Sequence, residues 1–114
     1  MPCAAPGKSR QLEFEITPQH AKAELEAGAQ LLDVREPWEV AVASIGGLNI
    51  PMGDIPSRIQ ELDPDEHIVV LCHLGVRSLN VTAWLRQQGF ERVQSIRGGI
   101  DRWSREVDAS VPRY

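Results

Sequence analysis

Apolar positions fall along the chain in short runs that alternate between two periods. Gln11 to Ile16 alternates, with Leu12, Phe14 and Ile16 set against Glu13 and Glu15. A period of two predicts a half-buried strand at a sheet edge. Thr17-Pro18 reads as a helix start, with threonine as N-cap and proline at the first helical position. That helix is expected to run to about Ala27, with Ala21 and Leu25 on one face, and to stop at Gly28. Gln30 to Arg35 predicts a short apolar strand that ends in an acid and a base. Glu36 to Val40 reads as a helix entrance with Pro37 early in its first turn. Ser44 to Gly47 breaks the chain, and Leu48 to Ile50 predicts a brief strand closed by Pro51.

Ile55, Ile59 and Leu62 recur at i, i+4 and i+7, which predicts an amphipathic helix over Gly53 to Leu62 with Pro56 in its first turn. Asp63 to Glu66 is a turn. Ile68 to Leu71 is the most apolar and β-branched run and lacks alternation, so it predicts a central strand buried on both faces. A helix is expected over Leu79 to Gln88, with Val81, Trp84 and Leu85 on one stripe and Gly89 as its stop. Val93 to Ile96 predicts a fifth strand, Gly98-Gly99 a turn, and Ile100 to Val107 a last helix carrying Trp103. Strands alternating with helices predict one α/β domain over 11–107, a five-stranded, mainly parallel sheet with helices on both faces. Residues 1–10 are expected to form a flexible tail, and 108–114 a C-terminal tail free to pack back.

Composition narrows the function classes. The chain has 114 residues, 42% of them hydrophobic and 25% charged, with a formal net charge of -4. An acidic chain with scattered Arg and Lys lacks the basic footprint that nucleic acid requires. No apolar run reaches the roughly 18 residues of a membrane span, and the start has no apolar signal-like core. No nucleic-acid or membrane partner is therefore expected. The two cysteines, Cys3 and Cys72, lie in very different settings, and a reduced, cytoplasmic environment is the simpler expectation. Cys72-His73 is a bare pair without metal-ligand spacing, so no metal site is expected. His20 and His67 read as surface or cap residues.

Chemistry concentrates at the end of the predicted central strand. Cys72 ends the apolar run, a loop of His73, Leu74, Gly75 and Val76 follows, and Arg77-Ser78 opens the next helix. Parallel α/β sheets place ligands at the carboxyl ends of their strands. A helix amino terminus offers free N–H groups and partial positive charge, which bind anions and favour a thiolate. A buried cysteine is otherwise often a plain core residue. Here Gly75 permits a close turn, Arg77 can brace the loop or pair with an anion, and Ser78 can cap the helix or donate to sulfur. Cys72 is thus a candidate nucleophile in an anion cradle. Phosphoryl transfer through phosphocysteine and sulfur transfer through a persulfide both fit this arrangement.

Four motifs in order then carry a resemblance: Leu32-Asp33-Val34-Arg35-Glu36 with Trp38-Glu39; Gly47-Leu48-Asn49-Ile50-Pro51; Cys72 through Ser78; and Arg97-Gly98-Gly99-Ile100 with Trp103. From about Thr17 to Trp103 the chain resembles the single-domain rhodanese-like sulfurtransferases. The related cell-division-cycle phosphatases of this fold have a loop one residue longer between cysteine and arginine. The resemblance implies a five-stranded parallel sheet, with Cys72 as persulfide carrier and His73, Leu74, Gly75, Val76, Arg77 and Ser78 as the substrate-binding loop. It also implies a small sulfur donor such as thiosulfate, a thiol or cyanide acceptor, and no metal or organic cofactor. A protein donor or acceptor is an alternative, in which the domain acts as a sulfur carrier docked to a partner; a phosphatase is the third reading. Ser44 stands where the family often has histidine, a departure expected to be structural. With Leu74 and Val76 lining the loop, Arg77 would be its sole fixed cation, which favours a persulfide donor over dianionic thiosulfate. Asp33 and Arg35 are expected to form an ion pair supporting the site, Arg97 is a weak candidate for anion contact, and Trp38, Trp84 and Trp103 are expected in the core.

Overall fold

A computed structural model describes residues 12–114; the tail expected over 1–10 lies outside the described residues. Five strands, β1 (Glu15–Ile16), β2 (Gln30–Asp33), β3 (Leu48–Asn49), β4 (Ile68–Leu71) and β5 (Val93–Ile96), form one sheet in the order β1-β5-β4-β2-β3. Every strand pair is parallel. The α-helices are α1 (Pro18–Glu26), between β1 and β2; α2 (Pro37–Val42), between β2 and β3; α3 (Val76–Gln87), between β4 and β5; and α4 (Gly99–Glu106), which follows β5. All five strands therefore point the same way, and their carboxyl ends share one edge of the molecule.

The central strand explains the layers. Side chains of a strand alternate between faces. Ile68, Val70 and Cys72 enter one core with Leu32, Ile55, Val81 and Leu85, while Val69 and Leu71 enter the other with Ala21, Ile96, Ile100 and Trp103. All four residues of β4 are inaccessible to solvent, as its unbroken apolar run predicts. The α1 cap also follows its sequence, since Thr17 Oγ1 accepts from His20 N at 3.2 Å with proline next.

Four expectations are corrected. The helix over Gly53 to Leu62 is two 3-10 turns, Met52–Asp54 and Pro56–Glu61, with Arg58 at φ -117° and ψ 18°. Proline at position 56 cannot donate and crowds the preceding turn, yet Ile55 and Leu62 remain buried. The first strand is reduced to Glu15–Ile16. Leu12 and Phe14 are exposed, and the Arg86 guanidinium covers the Phe14 ring at 4.2 Å. His67 is buried, not at the surface, between Gln94 (2.8 Å) and Glu24 (3.4 Å). Trp38 is 64% exposed, whereas Trp103 is buried and Trp84 packs partly against the core. On a helix, adjacent side chains diverge by about 100°; α2 buries Glu39, which turns its neighbour outward.

Beyond α4 the chain turns back along that helix. Ser104 Oγ donates to the Val111 carbonyl at 2.6 Å, Val111 is buried, and Arg113 pairs with Asp101 at 3.2 Å. Among the described residues no helix is long and apolar enough to cross a membrane.

Candidate active site

Cys72 follows β4 directly, at the carboxyl edge and between the ends of β2 and β5. Helix α3 begins at Val76, earlier than its apolar stripe suggests, so Arg77 and Ser78 stand in its first turn. The turn into it is made by Gly75 at φ 102°, a left-handed conformation that suits glycine alone. That turn points the Gly75 N–H at Cys72 Sγ, 3.0 Å away. The Ser78 N–H donates to the same sulfur at 3.3 Å, and the Cys72 and Ser78 side chains are 3.3 Å apart. Ser78 Oγ continues to Ser95 Oγ on β5 at 2.7 Å. Cys72 is 1% exposed, and its sulfur sits among two amides and a hydroxyl that can donate or accept.

The loop is propped from below by α4. Ile100 N donates to the Cys72 carbonyl (2.9 Å) and Asp101 N to the His73 carbonyl (3.2 Å). These first-turn amides have no partner within their own helix. Gly98-Gly99, read from sequence as a plain turn, is therefore the contact surface between α4 and the loop.

Arg77 does not stand as a free cation. Its two terminal nitrogens bind both oxygens of Glu39 at 2.8 Å each. Glu39 also accepts from Glu36 N and from the Tyr114 hydroxyl, both at 2.9 Å. Asp33 and Arg35 form the buried pair that sequence suggests, at 2.6 Å. Arg35 further donates to the Ala43 carbonyl (2.8 Å) and to Tyr114 Oη (2.9 Å). Burial opposes its charge, but the bonds to Asp33 and Tyr114 outweigh that and hold its pKa above the ordinary value. Asn49 Nδ2 ties the Asp33 and Arg35 carbonyls, each at 2.9 Å.

Of the residues singled out from sequence, Cys72, Gly75 and Ser78 gather at the sulfur. Leu74 and Val76 are 59% and 69% exposed, so they form a rim and do not line the cradle. His73 stacks against Tyr114, and Arg97 is turned to Glu15 at 3.2 Å. Ser44 Oγ accepts from Gly46 N at 3.0 Å and shapes its own turn. Sequence reasoning passed over Glu39, Ser95, Gly99 and Tyr114 as parts of the site. Glu39 was already within a quoted motif, and that membership was the available signal.

Glu39 supplies a pH test. The Arg77 guanidinium, against the penalty of burial, lowers its pKa from 4.5 to about 2. A depressed folded pKa means the contribution is complete above about 4.5 and is lost as pH falls toward 2. Glu39→Gln is expected to lose about 2 kcal/mol near pH 6, less than a fully buried pair because Arg77 is partly exposed. The gap to wild type is expected to narrow as pH falls to 2.5. Urea melts across that range measure it, and a gap that stays constant would contradict the assignment.

Comparisons with known proteins agree with this geometry. A rhodanese-like domain model matches residues 17–106. A putative sulfurtransferase of Bacillus subtilis, YtwF, is 41% identical over 96 residues, covering 82% of this chain and 92% of the relative. The thiosulfate sulfurtransferase GlpE of Pseudomonas aeruginosa is 37% identical over 89 residues, covering 77% of this chain and 81% of the relative. A chloroplastic rhodanese-like/PpiC domain-containing protein of Arabidopsis thaliana is 43% identical over 91 residues; these are 75% of this chain but only 30% of that protein. The human single-domain sulfurtransferase structure superposes with a TM-score of 0.74 at 27% identity, covering 83% of this chain and 98% of its own. With the matched model spanning most of its length, the chain belongs to the rhodanese-like domain family and is a sulfurtransferase of the rhodanese type.

Proposed function

We propose that Cys72 is the sulfur-carrying residue of this sulfurtransferase. The observation that carries the reading is the convergence of Gly75 N, Ser78 N and Ser78 Oγ within 3.3 Å of one buried sulfur. In the first step the Cys72 thiolate attacks the outer sulfur of the donor. The donor's S–S bond breaks, its electron pair leaves with sulfite or the donor thiolate, and a Cys72 persulfide forms. The cradle amides stabilise the negative charge that moves to the outer sulfur. In the second step cyanide or an acceptor thiolate attacks that sulfur, and the Cys72 thiolate departs as thiocyanate or an acceptor persulfide is released. This is a two-step covalent scheme, and no step requires a metal or organic cofactor.

An organic persulfide is the better natural donor than thiosulfate. Arg77 is matched by Glu39, so a dianion gains little uncompensated positive charge at the mouth. The exposed Leu74, Val76 and Trp38 at the rim also favour an acceptor or donor carried on a protein, with the domain as a sulfur carrier. We place this chemistry in a reducing compartment such as the cytoplasm, where Cys72 stays a free thiol.

Intact-mass measurement tests the reading. After incubation with thiosulfate or an alkyl persulfide, the protein is expected to gain one sulfur, mapped to the peptide holding Cys72 and removed by cyanide. Absence of an adduct with every sulfane donor, or an adduct confined to the peptide holding Cys3, overturns it. A thiosulfate KM in the low micromolar range would overturn the donor preference.

A further inference from the structure

We propose that Tyr114 is a positioning residue for the cysteine loop, acting through the His73 side chain on which its ring stacks. The inference rests on Cys72 being the sulfur carrier. Tyr114 lies beyond the stretch, 17–106, that the family model matches. Its ring and the His73 imidazole are 4.0 Å apart at their centroids and 8° from parallel. Its main-chain oxygen is 2.8 Å from His73 Nε2, a geometry in which that nitrogen donates.

His73 is bonded directly to Cys72, and its own carbonyl is held by Asp101 N. The residue is thus gripped by α4 through its backbone and by Tyr114 through its side chain. Of the three residues between Cys72 and α3, Leu74 is exposed and Gly75 has no side chain. His73 is therefore the one side chain through which that short span can be fixed.

Tyr114 is itself fixed at its far end. Its hydroxyl accepts from Arg35 and donates to Glu39, each at 2.9 Å, and the Trp38 ring meets it edge-on at 6.1 Å. Burial, partly opposed by Arg35, raises the phenol above its ordinary pKa, so it remains a donor. The segment leading to it is anchored at Val111 and Arg113. The result is a bracket from the buried Arg35–Glu39 floor, through the phenol, to the imidazole beside the reacting sulfur.

Sulfur transfer needs the sulfur and its amides in fixed register. A displacement near 1 Å lowers such rates by on the order of 10²-fold. Single-turnover loading of the full chain with thiosulfate, followed by intact mass, tests the role. Tyr114→Ala is expected to lower the maximal loading rate about tenfold, with the half-saturating thiosulfate concentration changed less than about threefold. Tyr114→Phe keeps the stacked ring and the main-chain oxygen but loses the hydroxyl's bonds to Arg35 and Glu39, and is expected to load more slowly than wild type but faster than Tyr114→Ala. In the double variant with His73→Ala, the losses are expected not to multiply, because both act through one contact. Wild-type loading by Tyr114→Ala, a phenylalanine variant as slow as the alanine one, or multiplying losses would each overturn the proposal. Failure of wild type itself to load at Cys72 would instead overturn the underlying reading.

Discussion

Cys72→Ser is expected to abolish sulfur transfer, lowering turnover by on the order of 10⁴-fold or more, while the protein stays folded. Serine cannot form the persulfide, and its hydroxyl is hardly ionised near neutral pH, so neither half of the reaction has a carrier. The fold should tolerate the change, since Gly75 N, Ser78 N and Ser78 Oγ that now surround the sulfur can bond a hydroxyl as well. The variant separates chemistry from folding: thermal melts should nearly coincide, while the one-sulfur mass gain and thiocyanate production disappear. Turnover above about a hundredth of wild type would show that another group carries the sulfur.

Gly99→Ala is expected to damage both stability and site. A Cβ there would collide with the His73 carbonyl oxygen and lie 2.5 Å from the Cys72 carbonyl oxygen and the His73 carbonyl carbon. These are backbone atoms of the cysteine loop and cannot rotate aside. The position also has φ +62°, which strains any residue with a side chain. Relief requires α4 to withdraw, and that breaks the Ile100 and Asp101 amide bonds to the loop. Strain and overpacking together are expected to lower stability by about 3 kcal/mol, or roughly 10–20 °C in Tm. Sulfur loading should fall with it. Gly53→Ala is the control, since nothing lies within 4 Å of its Cβ and its φ is not positive. A Gly99→Ala protein that melts and loads like wild type would sink the view that α4 props the loop.

These two substitutions differ in how visible they were from sequence. Cys72 stood out because a β-branched run ended on it and a glycine and an arginine followed at short range, all local features. Gly99 stood out as a turn residue and as part of a quoted motif, without a role in the site. Its importance comes from a contact with residues 72 and 73, reached because β5 lies next to β4 in the sheet. The same holds for Glu39 and Arg77, which are 38 positions apart and meet because β2 is the other neighbour of β4. An arginine read as the sole fixed cation of the loop proves to be matched charge for charge, and this strengthens the expected preference for a persulfide over a dianionic donor.

Errors in the local reading have local causes. The 3-10 turns replaced a helix because Pro56 interrupts hydrogen bonding while leaving the apolar spacing intact, and spacing alone cannot distinguish the two. The apolar residues that share a helical face with Trp38 predict a core position for it. A carboxylate with four hydrogen-bonding contacts took the buried place on that helix instead.

What the amino-acid sequence determined by itself was the order of strands and α-helices, apart from the 3-10 turns over Met52–Glu61, the strand that lies at the centre, and the six-residue span from Cys72 to Arg77. Those depend on periodicity, β-branching and glycine geometry, which act over a few residues. Only the tertiary structure decided what surrounds that span: Glu39 on Arg77, Ser95 behind Ser78, Gly99 beneath the loop and Tyr114 against His73. Each of those contacts joins segments at least 17 residues apart. Their pairing follows from strand order and close packing, and no local pattern in the chain encodes either.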